Sequence, residues 1–240
     1  MIKPYKESSA GKKVQVAEMF DNIAGHYDFL NHFLSMGIDR LWRRKAIRIV
    51  SSKRPEQILD VATGTGDFAI EASKIPNVKV TGVDISEKML AVGREKIKKL
   101  SLDNRIKLSL GDSENLKFDD HSFDVITVAF GVRNFENLSI GLKEMQRVLK
   151  KDGMACILEF SRPTAFPIKQ VYELYFFKIL PFVGRLFSKD NSAYTYLPES
   201  VYNFPDGKDF VSLMEKCGFE QVEQKKLTFG IASIYLGIKK

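Results

Sequence analysis

Residues 60–70 read "DVATGTGDFAI". The apolar run "QILDVA", from Gln57, leads into this stretch and has the character of a buried strand. Gly64 and Gly66 break the run, and "DFAIEASKI" resumes at helical spacing. Strand, glycine turn and helix open a doubly wound α/β sheet, in which a nucleotide-like ligand lies against the turn. Glycine suits that place because, without a side chain, the backbone approaches a ligand closely.

Working outward, strand and helix alternate. "VKVTGVDI" reads as a strand, and Ser86 is a good N-cap for the helix "EKMLAVGREKIKKL". "IKLSLGD" and "SFDVITVAF" are further strands. "NLSIGLKEMQRVLK" is a helix closed by "KDG" before the strand "MACILEF". Such alternation predicts a mostly parallel sheet with helices on both faces. Upstream, Phe20, Ile23, Tyr27, Leu30 and Leu34 recur at steps of three and four, which predicts one helix over 14–35 and a second over 39–52. Residues 162–205 hold no clear strand and many aromatics. A helix, "GKDFVSLMEKC", follows, and "FEQVEQKKLTF" and "IASIYLGIK" are suited to an antiparallel pair on the sheet edge. The chain reads as one domain in four segments: an N-terminal helical extension (1–54), a ligand-binding core (55–161), an aromatic helical insertion (162–205), and a closing helix with a strand pair (206–240).

Composition narrows the function classes. Hydrophobic residues at 44% and charged residues at 28% are those of an ordinary globular protein. Two cysteines, Cys156 and Cys217, without a C-x-x-C pair, argue against a disulfide framework or zinc site and fit a reducing cytosol. The N-terminus lacks the apolar core of a signal peptide, and no apolar run approaches the roughly 18 residues of a membrane span. Most of the +7 net charge lies in residues 1–55, densest in "RLWRRKAIR". That charge suits an anionic lipid surface or a solvated helix face. Nucleic acid fits less well, because Trp42 stands there without the interleaved aromatics of a single-strand platform.

Gly64-Thr65-Gly66-Asp67-Phe68-Ala69 fits the dinucleotide fingerprint G-x-G-x-x-G/A, and Asp84 ends the next strand where a ribose-binding acid belongs. NAD and S-adenosylmethionine both answer to this pattern. Asp60 and Asp67 shift the balance, since carboxylates repel a pyrophosphate but suit the ammonium and sulfonium of S-adenosylmethionine. Asp112 ends the third strand, within reach of an adenine amino group.

In their order along the chain, "LDVATGTGDFA", "GVDIS", "GDSENL" and "RVLKKDG" resemble the class I S-adenosylmethionine-dependent methyltransferases. The resemblance runs from residue 55 nearly to the end and implies a seven-stranded sheet with an antiparallel edge pair. "FDNIAGHYDFLNHFLSMGIDRLWRR" (20–44) resembles the N-terminal signature of the menaquinone/ubiquinone biosynthesis C-methyltransferases, matching at Tyr27, Asp28, Asn31, Ser35 and Trp42. "RVLKKDGMACILEFS" matches that family's second signature at Arg147, Lys150, Gly153, Glu159 and Ser161, and "FGVRN" (130–134) is close to a third motif. Leu30, Asp39 and Lys151-Asp152 depart from the usual residues, away from the cofactor contacts.

The resemblance implies C-methylation of demethylmenaquinol to menaquinol, or of a ubiquinone-pathway benzoquinol. It implies that Thr65 contacts S-adenosylmethionine, Asp84 the ribose, and Asp112 with Ser113 the adenine, with Asp60, Gly64 and Gly66 shaping the same pocket. It places Arg133 and Asn134 at the substrate. Ring carbon is a poor nucleophile, so the substrate must be the quinol, whose phenolic proton leaves to push charge onto the ortho carbon. A phenol titrates near ~10, so positive charge or a base must help. Arg133 is the electrostatic candidate, with a water held by Arg133 and Asn134 as proton carrier. Asp28 and His32 are the alternative bases. No metal ligand cluster is read from the sequence. Partners expected are a polyprenylated quinol and the inner face of a membrane. Phe166, Tyr172, Tyr175, Phe176, Phe177, Phe182 and Phe187, with Lys169, Lys178, Arg185 and Lys189 among them, would line a tail channel, rest on lipid, or simply cap the sheet. The oligomeric state stays open, a homodimer included.

Overall fold

The computed structural model describes residues 2–25, 27, 28, 32, 35–179 and 192–240, the last segment without the side chains of 192–194. Seven strands form one sheet: β1 (Gln57–Val61), β2 (Lys79–Asp84), β3 (Ile106–Leu110), β4 (Phe123–Ala129), β5 (Leu149–Phe160), β6 (Phe219–Leu227) and β7 (Ala232–Lys239). Their order is β3-β2-β1-β4-β5-β7-β6. All neighbours are parallel except β7, which runs antiparallel to both β5 and β6. The expected edge pair is therefore present.

The central strands are apolar on both faces because helices cover both. On one face, Trp42, Ala46 and Val50 of α2 (Ile38–Ser51) and Phe68 and Ala72 of α3 (Asp67–Ala72) pack on Ile58, Val80 and Val125. On the other, Leu142 and Met145 of α5 (Leu138–Val148) and Phe210 and Met214 of α8 (Lys208–Lys216) cover Leu59, Ile126 and Ile157. The helix α4 (Glu87–Lys99) starts at Ser86 as expected, whose hydroxyl accepts the Met89 N–H at 3.2 Å.

Some boundaries differ from the sequence reading. The first helix, α1 (Lys12–Ile23), ends before Gly25, a residue that favours helix ends, while Leu30 and Leu34 lie outside the described residues. The strand β5 begins at Leu149, ahead of the "KDG" read as a helix stop, and its pairing with β4 shifts register between Phe123 and Val125. The aromatic segment holds α6 (Ile168–Leu174), one π-helical turn at Tyr175–Ile179, and α7 (Ser192–Asn203). Phe182, Phe187, Arg185 and Lys189 lie outside the described residues. No helix among the described residues is long and apolar enough to cross a membrane.

The strand order reverses between β1 and β4, so their carboxyl ends diverge and leave a crevice, the usual place for a ligand in such a sheet. Tyr196 of α7 packs with Val16, Met19 and Ile23 of α1, which gathers the N-terminal helix and the aromatic segment over that end.

Candidate active site

Two cavities meet above the strand ends. The first is a cleft lined by Gly64, Ala62, Asp84, Asp112, Ser113 and Asn134, with Lys13, Val16 and Phe20 of α1 forming its outer wall. Ala62 and Phe130 hold left-handed backbone angles (φ 53° and 59°), uncommon for residues with side chains and frequent where a site constrains the chain. A Cβ added at Gly131 would stand 2.6 Å from that of Ala62, so glycine keeps this wall open.

The acids divide by role. Asp84 is buried at the end of β2, and its carboxylate accepts the N–H of Gly64 at 2.8 Å and of Ser86 at 2.9 Å. Each oxygen keeps a further lone pair for a ligand hydroxyl. Burial raises its pKa above the ordinary carboxylate value, against the pull of those N–H groups. Asp112 accepts the Glu114 N–H at 2.9 Å and the Lys13 ammonium at 2.7 Å. Asp60 lies elsewhere. It is sealed behind the turn, with one oxygen taken by the Thr63 hydroxyl at 2.6 Å and the other by Thr127 at 2.7 Å. Burial pushes its pKa up to about 6. The expectation that it faces a cationic ligand is therefore replaced by a supporting role from behind. Thr65 and Gly66 also stand off the cleft wall. The Thr65 hydroxyl donates to Asp28 at 2.5 Å, and Gly66, at φ 80°, caps α3 beside Leu108.

The donor set fits S-adenosylmethionine better than a dinucleotide. Asp84, Asp112, Glu114 and Glu136 line the cleft against one cation, Lys13, which already pairs with Asp112 and Glu114. At the start of α3, where a pyrophosphate would sit, Asp28 and Asp67 are bridged by Lys96. A pyrophosphate would meet two carboxylates there.

The second cavity, about 400 Å³, is apolar. That is within the size range of small-molecule sites. Trp42, Phe130, Phe160 and Phe176 run along it, with successive ring centroids 6.1, 4.5 and 5.8 Å apart. Phe20, Tyr27, Phe130 and Asn134 line both cavities and mark the junction. Arg133 lines the apolar one. Its guanidinium lies 2.8 Å from the carboxylate of buried Glu159 and also donates to the Phe130 carbonyl. From α1, the Lys12 ammonium donates to the carbonyls of Arg133 at 3.0 Å and Phe135 at 2.8 Å, clamping the 3-10 turn Val132–Asn134. Burial, helped by the Arg133 charge, lowers its pKa to about 8.

Asp28 and His32 line neither cavity. His32 sits 2.9 Å from Asp39 and 3.4 Å from Asp67, while Asp28 is held by Lys96 at 2.7 Å. Burial alone would raise the Asp67 pKa, but Lys96 and Arg43 hold it below the usual value. Lys96 holds Asp28, and the carboxylates of Asp39 and Asp67 hold His32, so both candidate bases belong to this network and not to the junction. His32, Asp39 and Asp67 bring ligand atoms within 4.8 Å of one another, but Arg43 and Lys96 already balance the carboxylates. Asn31 lies outside the described residues. The sequence reading missed Lys13 and Glu114 on the cleft wall. In the sequence Lys13 is one of several N-terminal cations, and Glu114 lies within the motif "GDSENL" without a feature that sets it apart.

Residues 7–239 match the model of the ubiE/COQ5 methyltransferase family. A demethylmenaquinone methyltransferase from Bacteroides fragilis is 52% identical, covering 99% of this chain and 97% of the relative. One from Porphyromonas gingivalis is 49% identical, covering 99% and 98%. The ubiquinone/menaquinone biosynthesis C-methyltransferase UbiE of Geotalea daltonii is 48% identical, covering 98% and 100%. Among solved structures, a SAM-dependent methyltransferase from Thermotoga maritima superposes with a TM-score of 0.66 at 20% identity, covering 93% of this chain and 99% of that one. That likeness carries the fold. Agreement along nearly every residue, with relatives about half identical over their full length, carries more: the chain belongs to the ubiE/COQ5 methyltransferase family.

Proposed function

We propose that the chain transfers the methyl group of S-adenosylmethionine to a ring carbon of demethylmenaquinol, giving menaquinol. One observation carries this reading. An acid-lined cleft and an apolar, aromatic cavity meet at Phe20, Tyr27, Phe130 and Asn134. Transfer between a polar nucleoside and an oily ring needs such a junction. The relatives from Bacteroides and Porphyromonas, about half identical over their whole length, carry the corresponding name.

Asp84 holds the ribose hydroxyls, and Asp112 with Ser113 takes the adenine edge. Bound there, S-adenosylmethionine supplies an electrophilic methyl group. The junction residues exclude water and hold the ring carbon in line with it, a proximity effect. Asn134 lines both cavities, and its side-chain oxygen, buried without a partner among the described residues, is an acceptor available to a quinol O–H. Arg133 opposes the charge that develops on the ring oxygen as its proton passes to a water held by Arg133 and Asn134, and the position of Arg133 is fixed by Glu159 and by Lys12. Asp28 and His32 serve the architecture of the glycine turn.

The prenyl tail leaves through the apolar rim. Val171 on the cavity wall is 63% exposed, and Phe166 beyond it is 81% exposed, with Lys169 between them in sequence. Exposed apolar residues with interspersed cations suit the surface of an anionic bilayer. The experiment for the reaction is genetic. Quinones extracted from cells lacking this protein should be lighter by one ring methyl and should regain it when the gene returns. Fully methylated menaquinone in the deleted strain would refute the reading.

A further inference from the structure

Among the described residues, five buried side-chain polar atoms have no hydrogen-bond partner: Arg43 Nε, Arg133 Nε, Asn134 Oδ1, Tyr172 Oη and Tyr196 Oη. All five residues line the apolar cavity. Buried polar groups are ordinarily satisfied, and each one left alone is destabilising. Scattered through a fold, such atoms would be packing defects. Gathered around one cavity, they describe a site for a ligand that is mostly apolar and carries its own polar atoms.

The five differ in chemistry. The two arginines are already committed, Arg43 to Asp39 and Arg133 to Glu159. Asn134 Oδ1 is an acceptor. Tyr172 and Tyr196 are the neutral hydroxyls of the set, free both to donate and to accept. They are 8% and 3% exposed and come from different helices, α6 and α7. The charges of Arg133 and Glu159 act on both hydroxyls, and those of Asp206 and Arg162 act on Tyr172 as well. Burial pushes Tyr196 up to about 12 and Tyr172 higher still, so each remains a protonated donor across the pH range of an assay.

We propose that the hydroxyls of Tyr172 and Tyr196 recognise the ring oxygens of the substrate and so select a dioxygenated ring over a plain aromatic one. The inference rests on the reading that this cavity holds the demethylmenaquinol ring. A 1,4-quinol carries its two oxygens on opposite sides of the ring, and the two hydroxyls come from two separate helices of the cavity wall. A ring without oxygens leaves both hydroxyls unpaired in the complex, and a site with unpaired polar groups rejects such a ligand strongly.

Tyr172→Phe and Tyr196→Phe remove only the oxygens. Trp42, the single tryptophan of the chain, lines the cavity and reports binding by its fluorescence. The probe is an oxidised 1,4-naphthoquinone with a short prenyl tail, whose carbonyls only accept hydrogen bonds. The matching prenylated naphthalene, without ring oxygens, is measured by displacing it. Each variant should bind the quinone about tenfold more weakly, by the loss of one hydrogen bond. Each should bind the naphthalene as the wild type does, and melt at the same temperature or higher because an unpaired hydroxyl has gone. Unchanged quinone affinity in both variants would overturn the proposal, as would equal weakening for the two ligands, the mark of disturbed packing. A wild-type protein that binds no quinone would instead refute the reading of the cavity itself.

Discussion

The guanidinium of Arg133 is bound at 2.8 Å to the carboxylate of Glu159, which has no exposed surface. Burial raises the Glu159 pKa, and the Arg133 charge is the main force opposing that rise. Removing Arg133 alone therefore strands a buried acid. Arg133→Leu should lose about 3–5 kcal/mol of stability, the usual cost of breaking a buried pair.

Arg133→Leu combined with Glu159→Gln separates structure from chemistry. Glutamine removes the stranded charge yet keeps an acceptor for the Phe160 N–H, which Glu159 now holds at 2.9 Å. Urea denaturation should show most of the stability restored. Single-turnover methyl transfer should stay about two to three orders of magnitude slow, as when one preorganised donor is lost. A normal rate in the stable double variant would make Arg133 a structural residue.

Asp84 serves both the turn and the ligand. Asp84→Asn keeps the shape and loses the charge, so S-adenosylmethionine should bind at least about tenfold more weakly by calorimetry, since charge-assisted bonds are worth about 1.5–3 kcal/mol. Asparagine keeps an acceptor for only one of the Gly64 and Ser86 N–H groups and alanine for neither, so both variants should melt earlier, the alanine variant more so. Wild-type affinity in the asparagine variant would take Asp84 out of the ligand site.

Asp60 should leave a signature in stability against pH. Its pKa rises from 3.8 to about 6 in the folded chain, chiefly through burial. Between those values the folded state holds the proton more often than the unfolded state does. The stabilisation is present in full below the unfolded value and is lost as pH rises through about 6. Compared with Asp60→Asn, the wild type should lose unfolding free energy across this window and then run parallel to the variant. A difference between the two that is flat from pH 4 to 7 would contradict the buried assignment.

The legible parts of this molecule are those where local chemistry and global position agree. Ser86 reads as an N-cap and is one, and the closing strands read as a pair and are one. Asp84 ends β2 and Asp112 follows β3 by two residues, and both line the cleft at the carboxyl end of the sheet. The rest depends on partners distant in sequence. Lys13 meets Asp112 across 99 positions, and Thr65 meets Asp28 across 37. No spacing rule encodes such contacts. Asp60 shows the converse error: an acid beside a glycine turn looks like a ligand contact, but two threonine hydroxyls claim it first.

The most direct test is methyl transfer with purified protein, methyl-tritiated S-adenosylmethionine and a short-tailed demethylmenaquinone, with and without a chemical reductant. Carbon methylation through a phenolate requires the reduced ring. Label should enter the lipid extract as menaquinone only when the reductant keeps the substrate as quinol. Equal labelling of the oxidised quinone, or no labelling of the quinol, would contradict the account.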